Sequence, residues 1–401
     1  MKRIWAMILT VCLCLTMGMT ASAERYYDTE SGDEDAALPT AAQAAALSVN
    51  AKSAILMEML SGKVLFEQNS REALPIASVT KVMTLLLVME AIDGGQLSYD
   101  DMITVSATAA SMGGSQIWLE ENETMSVRDL LKAAVIVSAN DACAAFAEHL
   151  CGTIDAFVAR MNERASELGA TDTRFVDCSG LDDGGVSSAY DIALMSRELM
   201  MKHPDIQQYT TVWMDSLRGG QSELVNTNRL VRFYNGATGL KTGTTGAAGY
   251  CLSATAERDG LPLCAVVLGA PTTNDRFGGA RNLLDYGFAS YALFCPTAQQ
   301  LTVAPVPVLH GAQAAVEVKT PSVTGIPVER TKLSSIEVHV NVASDVEAPV
   351  EAGQVLGEAV VTAGEEELAR FPLTANTAVE AMTLSRALRR FLAAWTVGCA
   401  V

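Results

Sequence analysis

Histidine is scarce in this 401-residue chain, and its four copies lie far apart, at positions 149, 203, 310 and 339. No H-E-x-x-H or other paired-ligand spacing exists, which disfavours a metallohydrolase, and no metal or cofactor is expected. Cysteine is commoner but equally scattered. Of nine, Cys12 and Cys14 fall in an N-terminal segment with the marks of a signal, and the other seven (Cys143, Cys151, Cys178, Cys251, Cys264, Cys295, Cys399) contain no C-x-x-C pair. An odd, dispersed set in apolar contexts fits buried free thiols better than a disulfide framework. Positive charge is short as well: 28 Lys and Arg against 46 Asp and Glu leave a net charge of −18, which argues against a nucleic-acid partner.

What is present begins with a basic start (Lys2-Arg3), an apolar middle and a small-residue end at Ala21-Ser22-Ala23. That pattern predicts a secretory signal peptide over residues 1–23, cleaved after Ala23, and hence an exported protein. An uncleaved anchor, or a lipoprotein modified at Cys14, are the competing patterns. Cleavage removes Lys2 and Arg3 and takes the net charge from −18 to −20. A hydrophobic content of 49% supports a packed core.

Residues 24–48 are acidic and then alanine-rich, and are expected to be a flexible lead. Two apolar runs around Ser61-Gly62 predict a β-hairpin over residues 53–67. Helical periodicity follows at 126–137, with Ser126 as cap, and at 142–150, 155–168 and 189–201. Beyond Gly236, β-type runs at 250–256 and 261–268 flank Arg258-Asp-Gly260 as a second hairpin, and residues 282–294 return to helix. Strand, helices, strands and helix over residues 49–295 predict an α/β (α+β) domain with helices on a mainly antiparallel sheet. The composition shifts at Cys295-Pro296, and short alternating runs predict a small all-β sandwich over residues 296–375. Residues 376–401 are expected to form an amphipathic helix. Leu384, Leu388, Phe391, Leu392 and Trp395 fall on one side, with Arg386, Arg389 and Arg390 opposite, the pattern of an anchor lying on a membrane surface.

The chemistry centres on Pro75-Ile-Ala-Ser-Val-Thr-Lys-Val-Met-Thr-Leu-Leu-Leu-Val-Met89, a nearly uniform apolar segment with Ser78 and Lys81 at its head. Residues three apart share a helical face, so a hydroxyl nucleophile stands beside an amine base. Two further short elements follow, Ser138-Ala-Asn140 and Lys241-Thr-Gly243. With no histidine near any of the three, lysine is the available base. Burial and the charge of Lys241 are both expected to push Lys81 toward the neutral form.

The three motifs in this order resemble those of penicillin-binding proteins and class A β-lactamases. Gly239-Leu-Lys-Thr-Gly-Thr-Thr-Gly-Ala-Ala-Gly-Tyr-Cys-Leu252, with Asn226-Thr-Asn228 upstream and Gly353-Gln-Val-Leu-Gly357 near the end, is similar more narrowly to the low-molecular-mass D-alanyl-D-alanine carboxypeptidases. The resemblance covers essentially the whole mature chain and implies a penicillin-binding, β-lactamase-like transpeptidase fold acting on peptidoglycan stem pentapeptides, with β-lactams as inhibitors. It implies that Ser78 attacks, Lys81 takes its proton and Ser138 relays a proton to the leaving amine. Asn140 would hold the substrate amide, Lys241, Thr242 and Gly243 would line an edge strand beside the substrate, and the N–H groups of Ser78 and Thr244 would form the oxyanion hole. Arg276, or else a solvated loop arginine at that position, would take the substrate carboxylate. One departure stands out: some relatives carry Arg where this chain has Thr227. A class A β-lactamase is disfavoured because neither Glu163 nor Glu167 sits in an E-x-x-L-N context. A non-catalytic wall-binding or penicillin-sensing protein is disfavoured because all the reactive residues are in place.

Overall fold

The computed structural model describes residues 47–321 and 325–389. The expected signal peptide, most of the alanine-rich lead, and Arg390, Phe391, Leu392, Trp395 and Cys399 lie outside the described residues. A five-stranded antiparallel sheet forms the centre of the first domain. Its strands are β1 (Ser53–Glu58), β2 (Val64–Gln68), β3 (Ala237–Thr245), β4 (Gly249–Arg258) and β5 (Leu261–Ala270), in spatial order β2-β1-β5-β4-β3. Both predicted hairpins are present as β1–β2 and β4–β5. β1 and β5 are buried almost throughout rather than on alternate residues, because helices cover both faces of the sheet. β3 is an edge strand, so one side of its backbone opens to the cleft.

Helix α1 (Lys81–Asp93) has no polar face, and every residue from Lys81 to Met89 is buried. It therefore lies inside the domain, packed against α3 (Asn140–Cys151), α4 (Ile154–Glu167) and α5 (Ala189–Lys202), with α2 (Val127–Lys132) in the same apolar core. Ser126 caps α2 through its side chain, as its position predicts, by accepting from Asp129 N. The opposite face of the sheet is covered by α6 (Thr273–Ser290), which packs with Leu56, Leu252, Leu263 and Val267. A Cβ on Gly287 would stand 2.5 Å from Leu263 Cδ1, so this glycine lets α6 lie close on the sheet.

The structure corrects two expectations. The last helix of the first domain runs over Thr273–Ser290 and not 282–294, and Tyr291–Phe294 is a strand, β6, pairing with β7 (Ile326–Glu329). The polar start of α6, capped by Thr272, hides its apolar period, and the partner of β6 is too distant in sequence for local pattern to reveal it. The second domain is β-rich as expected. A four-stranded sheet joins Val318–Lys319, β10 (Glu366–Ala375), β9 (Val355–Ala363) and β8 (Ile336–Val342), and a three-stranded sheet faces it. In β8 the branched residues are half-buried while Glu337, His339 and Asn341 are exposed, a period of two. The terminal helix does not begin at 376: Val379 bridges to Val350 and Ala381 to Gly311, and among the described residues beyond them helix occupies 384–389.

Candidate active site

The chain enters α1 through one 3-10 turn, Ala77–Thr80, with Ala77 in the left-handed region at φ 48°. The turn puts Ser78 at the mouth and Lys81 one step inside, completely buried. Lys81 Nζ stands 3.1 Å from Ser78 Oγ, 2.6 Å from Asn140 Oδ1 and 2.8 Å from the Ser179 carbonyl oxygen. Two of these neighbours only accept, and the third is a hydroxyl that both donates and accepts. A neutral amine satisfies all three, giving its two protons to Asn140 and Ser179 and its lone pair to the Ser78 hydroxyl. Burial holds the Lys81 pKa below the ordinary lysine value, against the opposing pull of Cys143, Cys178, Asp177 and Asp141.

The expected help from the Lys241 charge takes a different form. It is Lys241 that is pushed well down, by burial first and then by the charges of Lys81 and Arg276. Desolvation alone accounts for the lowering at Lys81. The thiols nearby are inert: burial raises Cys143 to about 11 and Cys178 higher still. All six described cysteines are free.

Helix α2 runs into a π turn, Ala133–Val137, which ends with Ser138 in the left-handed region (φ 65°, ψ 33°), and α3 starts at Asn140. The Ser138 Oγ is buried without a hydrogen-bond partner among the described residues. Asn140 also works within the protein. Its side chain is already committed, donating to the Gly113 carbonyl (2.7 Å) and accepting from Lys81, so it fixes the lysine and leaves one amide proton for a substrate. Next to it, the buried Asp141 carboxylate accepts from Ile117 N (3.0 Å), Leu119 N (3.1 Å) and Ala142 N (2.9 Å).

On β3, Lys241 is 1% exposed and donates to the Thr242 carbonyl, while Thr242 Oγ1 donates to Thr227 Oγ1 at 2.7 Å. Gly243 serves the protein before any substrate: a Cβ there would stand 2.6 Å from Ile76 O, 2.9 Å from Val79 N and 3.0 Å from Ser78 N. The strand thus lies directly against the nucleophile turn at Gly243, the residue before Thr244. Arg276 is not a solvated loop residue. It sits in the first turn of α6, 7% exposed, and its Nη1 donates to Gly243 O (3.1 Å), Thr244 Oγ1 (3.0 Å) and Cys251 O (3.3 Å). It makes no ion pair among the described residues, its Nε has no partner, and burial lowers its pKa to about 10. A buried cation without an acid is a standing attraction for an anion.

One element escaped the sequence reasoning. In the turn Asp177-Cys-Ser-Gly180, the Asp177 carboxylate accepts from the amides of Ser179, Gly180 and Asp182, and Ser179 presents its carbonyl to Lys81. Gly180, at φ 76°, packs so closely on Ala77 that a Cβ would fall 1.8 Å from Ala77 O. An Asp followed by Ser-Gly signals a local turn, but nothing local ties it to Ser78. Glu163 and Glu167 are exposed and paired with Arg160 on α4, unsuited to holding a water over Ser78.

Two family profiles match the chain: one described as D-alanyl-D-alanine carboxypeptidase over residues 39–272, and one as penicillin-binding protein 5, C-terminal domain, over residues 294–381. The chain is 38% identical over 401 residues, 99% of each protein, to the D-alanyl-D-alanine carboxypeptidase DacF of Bacillus subtilis (strain 168). It is 34% identical over 319 residues, 77% of this chain and 79% of the other, to the D-alanyl-D-alanine carboxypeptidase DacC of Escherichia coli (strain K12). Among solved structures it is similar to penicillin binding protein 5 from Haemophilus influenzae, with a TM-score of 0.73 and 28% identity over 83% of this chain and 98% of that one. It is also similar to penicillin-binding protein D2 from Listeria monocytogenes in its ampicillin-bound form, at a TM-score of 0.56 and 37% identity over 60% of this chain and 99% of that one.

Proposed function

The chain belongs to the D-alanyl-D-alanine carboxypeptidase family of serine hydrolases acting on peptidoglycan, and from that premise we propose how its residues divide the work. Ser78 attacks the carbonyl of the penultimate D-alanine, Lys81 takes its proton, and the terminal D-alanine leaves with a proton relayed through Ser138. The N–H groups of Ser78 and Thr244 stabilise the oxyanion. Water then hydrolyses the Ser78 ester. The observation that carries this assignment is the Lys81 amine held among Ser78 Oγ, Asn140 Oδ1 and the Ser179 carbonyl, with its pKa lowered by burial. β-Lactams acylate the same serine and inhibit. Incubation with fluorescent penicillin, alongside measurement of D-alanine released from a stem pentapeptide, tests the assignment directly: labelling without release would reduce the protein to a sensor.

Arg276 is the counter-ion of the substrate carboxylate, acting at the Thr242–Thr244 edge, where Thr227 in place of arginine leaves it the larger share. Because Arg276 also braces β3, Arg276→Ala is expected to slow acylation by every substrate. The carboxylate-bearing peptide should lose a further factor of about 10 to 100 over a neutral ester, the size of one charge-assisted hydrogen bond. Parallel kcat/KM measurements on the two substrates check this, and equal losses would leave Arg276 as a brace only.

The protein is exported after removal of residues 1–23, with its catalytic domain over 49–295, its β domain over 296–375 and its terminal segment on the outer face of the cytoplasmic membrane. Support for the anchor comes from residues 384–389, where Leu384 and Leu388 are 87% and 58% exposed and Arg386 and Arg389 accompany them. No single helix among the described residues is long and apolar enough to cross a membrane. A version ending at Met382, which keeps β10 and the bridges of Val379 and Ala381, is expected to move from the membrane pellet to the soluble fraction with D-alanine release retained; unchanged sedimentation would refute the anchor.

A further inference from the structure

We propose that Asp177 is a positioning residue for the general base: through a single peptide group its carboxylate fixes and polarises the Ser179 carbonyl that holds the Lys81 amine. The proposal rests on the base role given to Lys81 above. A carbonyl holds an amine in place only if its own backbone is held, and residues 176–180 lie outside any helix or strand. The peptide unit between Ser179 and Gly180 is gripped at both ends. Its C=O accepts from Lys81 Nζ at 2.8 Å, and its N–H donates to Asp177 Oδ1. The preceding unit repeats the arrangement: the Cys178 C=O accepts from Thr84 Oγ1 at 2.6 Å, and the Ser179 N–H donates to the same Oδ1 at 2.9 Å. Lys81 and Thr84 are three apart on α1 and share a face of it. Two successive peptide groups thus join one carboxylate to one face of the helix that follows the nucleophile. Asp177 Oδ2 takes Asp182 N at 2.7 Å, and Gly180, packed on the backbone of Ala77, closes the turn.

The first consequence is orientation. A neutral amine has two protons and one lone pair, and with its protons on Asn140 Oδ1 and the Ser179 carbonyl the lone pair is left for Ser78 Oγ. A carbonyl free to drift would let the amine turn away. The second is strength: a carboxylate on the N–H polarises the peptide group and makes its oxygen a better acceptor. Lys81 faces Cys143 and Asp141 on α3, Cys178 and Asp177 on the turn, and Lys241 on β3. Burial raises both thiols, which stay protonated at neutral pH, and pushes Lys241 well down, so Asp141 and Asp177 supply the charge around the amine. Asp141 accepts from the amides of Ile117, Leu119 and Ala142, and none of those peptide groups bonds to Lys81. Asp177 is the one that reaches the base through the backbone.

Asp177→Asn keeps an Oδ1 to accept from Ser179 and Gly180 and removes the charge. Stopped-flow acylation by fluorescent penicillin, measured across pH, reads the result. Burial lowers the Lys81 pKa and the Asp177 charge pulls the other way; without that charge the pKa falls further, and the rising limb of the acylation profile moves to lower pH. The plateau above the limb should drop roughly 5-fold, the difference between a charge-assisted and a neutral hydrogen bond. Asp177→Glu, which keeps the charge on a longer arm, should lose rate while its limb returns toward the parent's. A profile for Asp177→Asn that is the parent's multiplied by a constant would overturn the proposal by leaving Asp177 a brace for the turn. An unchanged profile, or a limb that stays displaced in the glutamate variant, would overturn it as well. Failure of the underlying base assignment would show differently, as an unaltered protein that neither labels nor releases D-alanine, or as full labelling when Lys81 is replaced.

Discussion

Replacing Lys81 by alanine is expected to slow acylation of Ser78 by about 10²–10⁴-fold, the usual worth of a positioned general base. The side chain is not a cleft-wall lysine that leaves without consequence. It is fully buried, and its loss strips the donor from Asn140 Oδ1 and the Ser179 carbonyl, at about 1–3 kcal/mol for each unsatisfied acceptor. Part of that cost is offset because an amine no longer has to be desolvated. A lower melting temperature should therefore accompany the lost rate, and acylation should be compared well below it. The pH profile supplies the second check. The active form is the neutral amine, so kcat/KM rises with pH through the Lys81 pKa; because burial lowers that pKa, the rising limb should lie below the ordinary lysine range. Full labelling of the alanine variant would take the lysine out of the base role.

Gly243→Ala is the other large effect. The new methyl would meet backbone atoms on three sides, Ile76 O, Val79 N and Ser78 N, none of which yields as a side-chain end would. The edge strand must move away from the nucleophile turn. A displacement near 1 Å costs about 100-fold in rate when it separates the nucleophile from the groups that stabilise its transition state. Overpacking of this kind also destabilises by about 1–3 kcal/mol. Gly246, three residues on, is the control, since a Cβ there has nothing within 4 Å and its alanine variant should behave as the parent. Melting curves and penicillin acylation rates on both variants decide the matter. Equal behaviour of the two would mean that β3 does not depend on close contact with Ser78.

The uniform apolar run after Lys81 announced a central buried helix, and the structure has one. The two hairpins and the capping at Ser126 were equally legible, because each depends on residues near one another in sequence. What the sequence hid depends on contacts across it. The Tyr291–Phe294 strand is defined by a partner more than thirty residues away, and the terminal helix starts late because residues 376–381 are bridged to the β domain. At the site, Ser78, Lys81, Ser138 and Lys241 announce their chemistry through residue type and order. Ser179 does not, since it reaches Lys81 through a carbonyl that every residue possesses. Gly243 and Asn140 were legible as important, but the contacts they make within the protein were not. One gives the strand room against the Ser78 turn and the other grips the lysine, and neither contact is visible without three dimensions.

The central claim is that Ser78 forms the acyl-enzyme, with Lys81 as its base. Mixing the protein with a stem pentapeptide, quenching in acid within a turnover and mapping the adduct by mass spectrometry tests it most directly. The account predicts one acyl group on Ser78, appearing with one equivalent of free D-alanine and absent in the Lys81 variant; an adduct on Ser138 or Ser179, or D-alanine release with no covalent adduct under any quench, would contradict it.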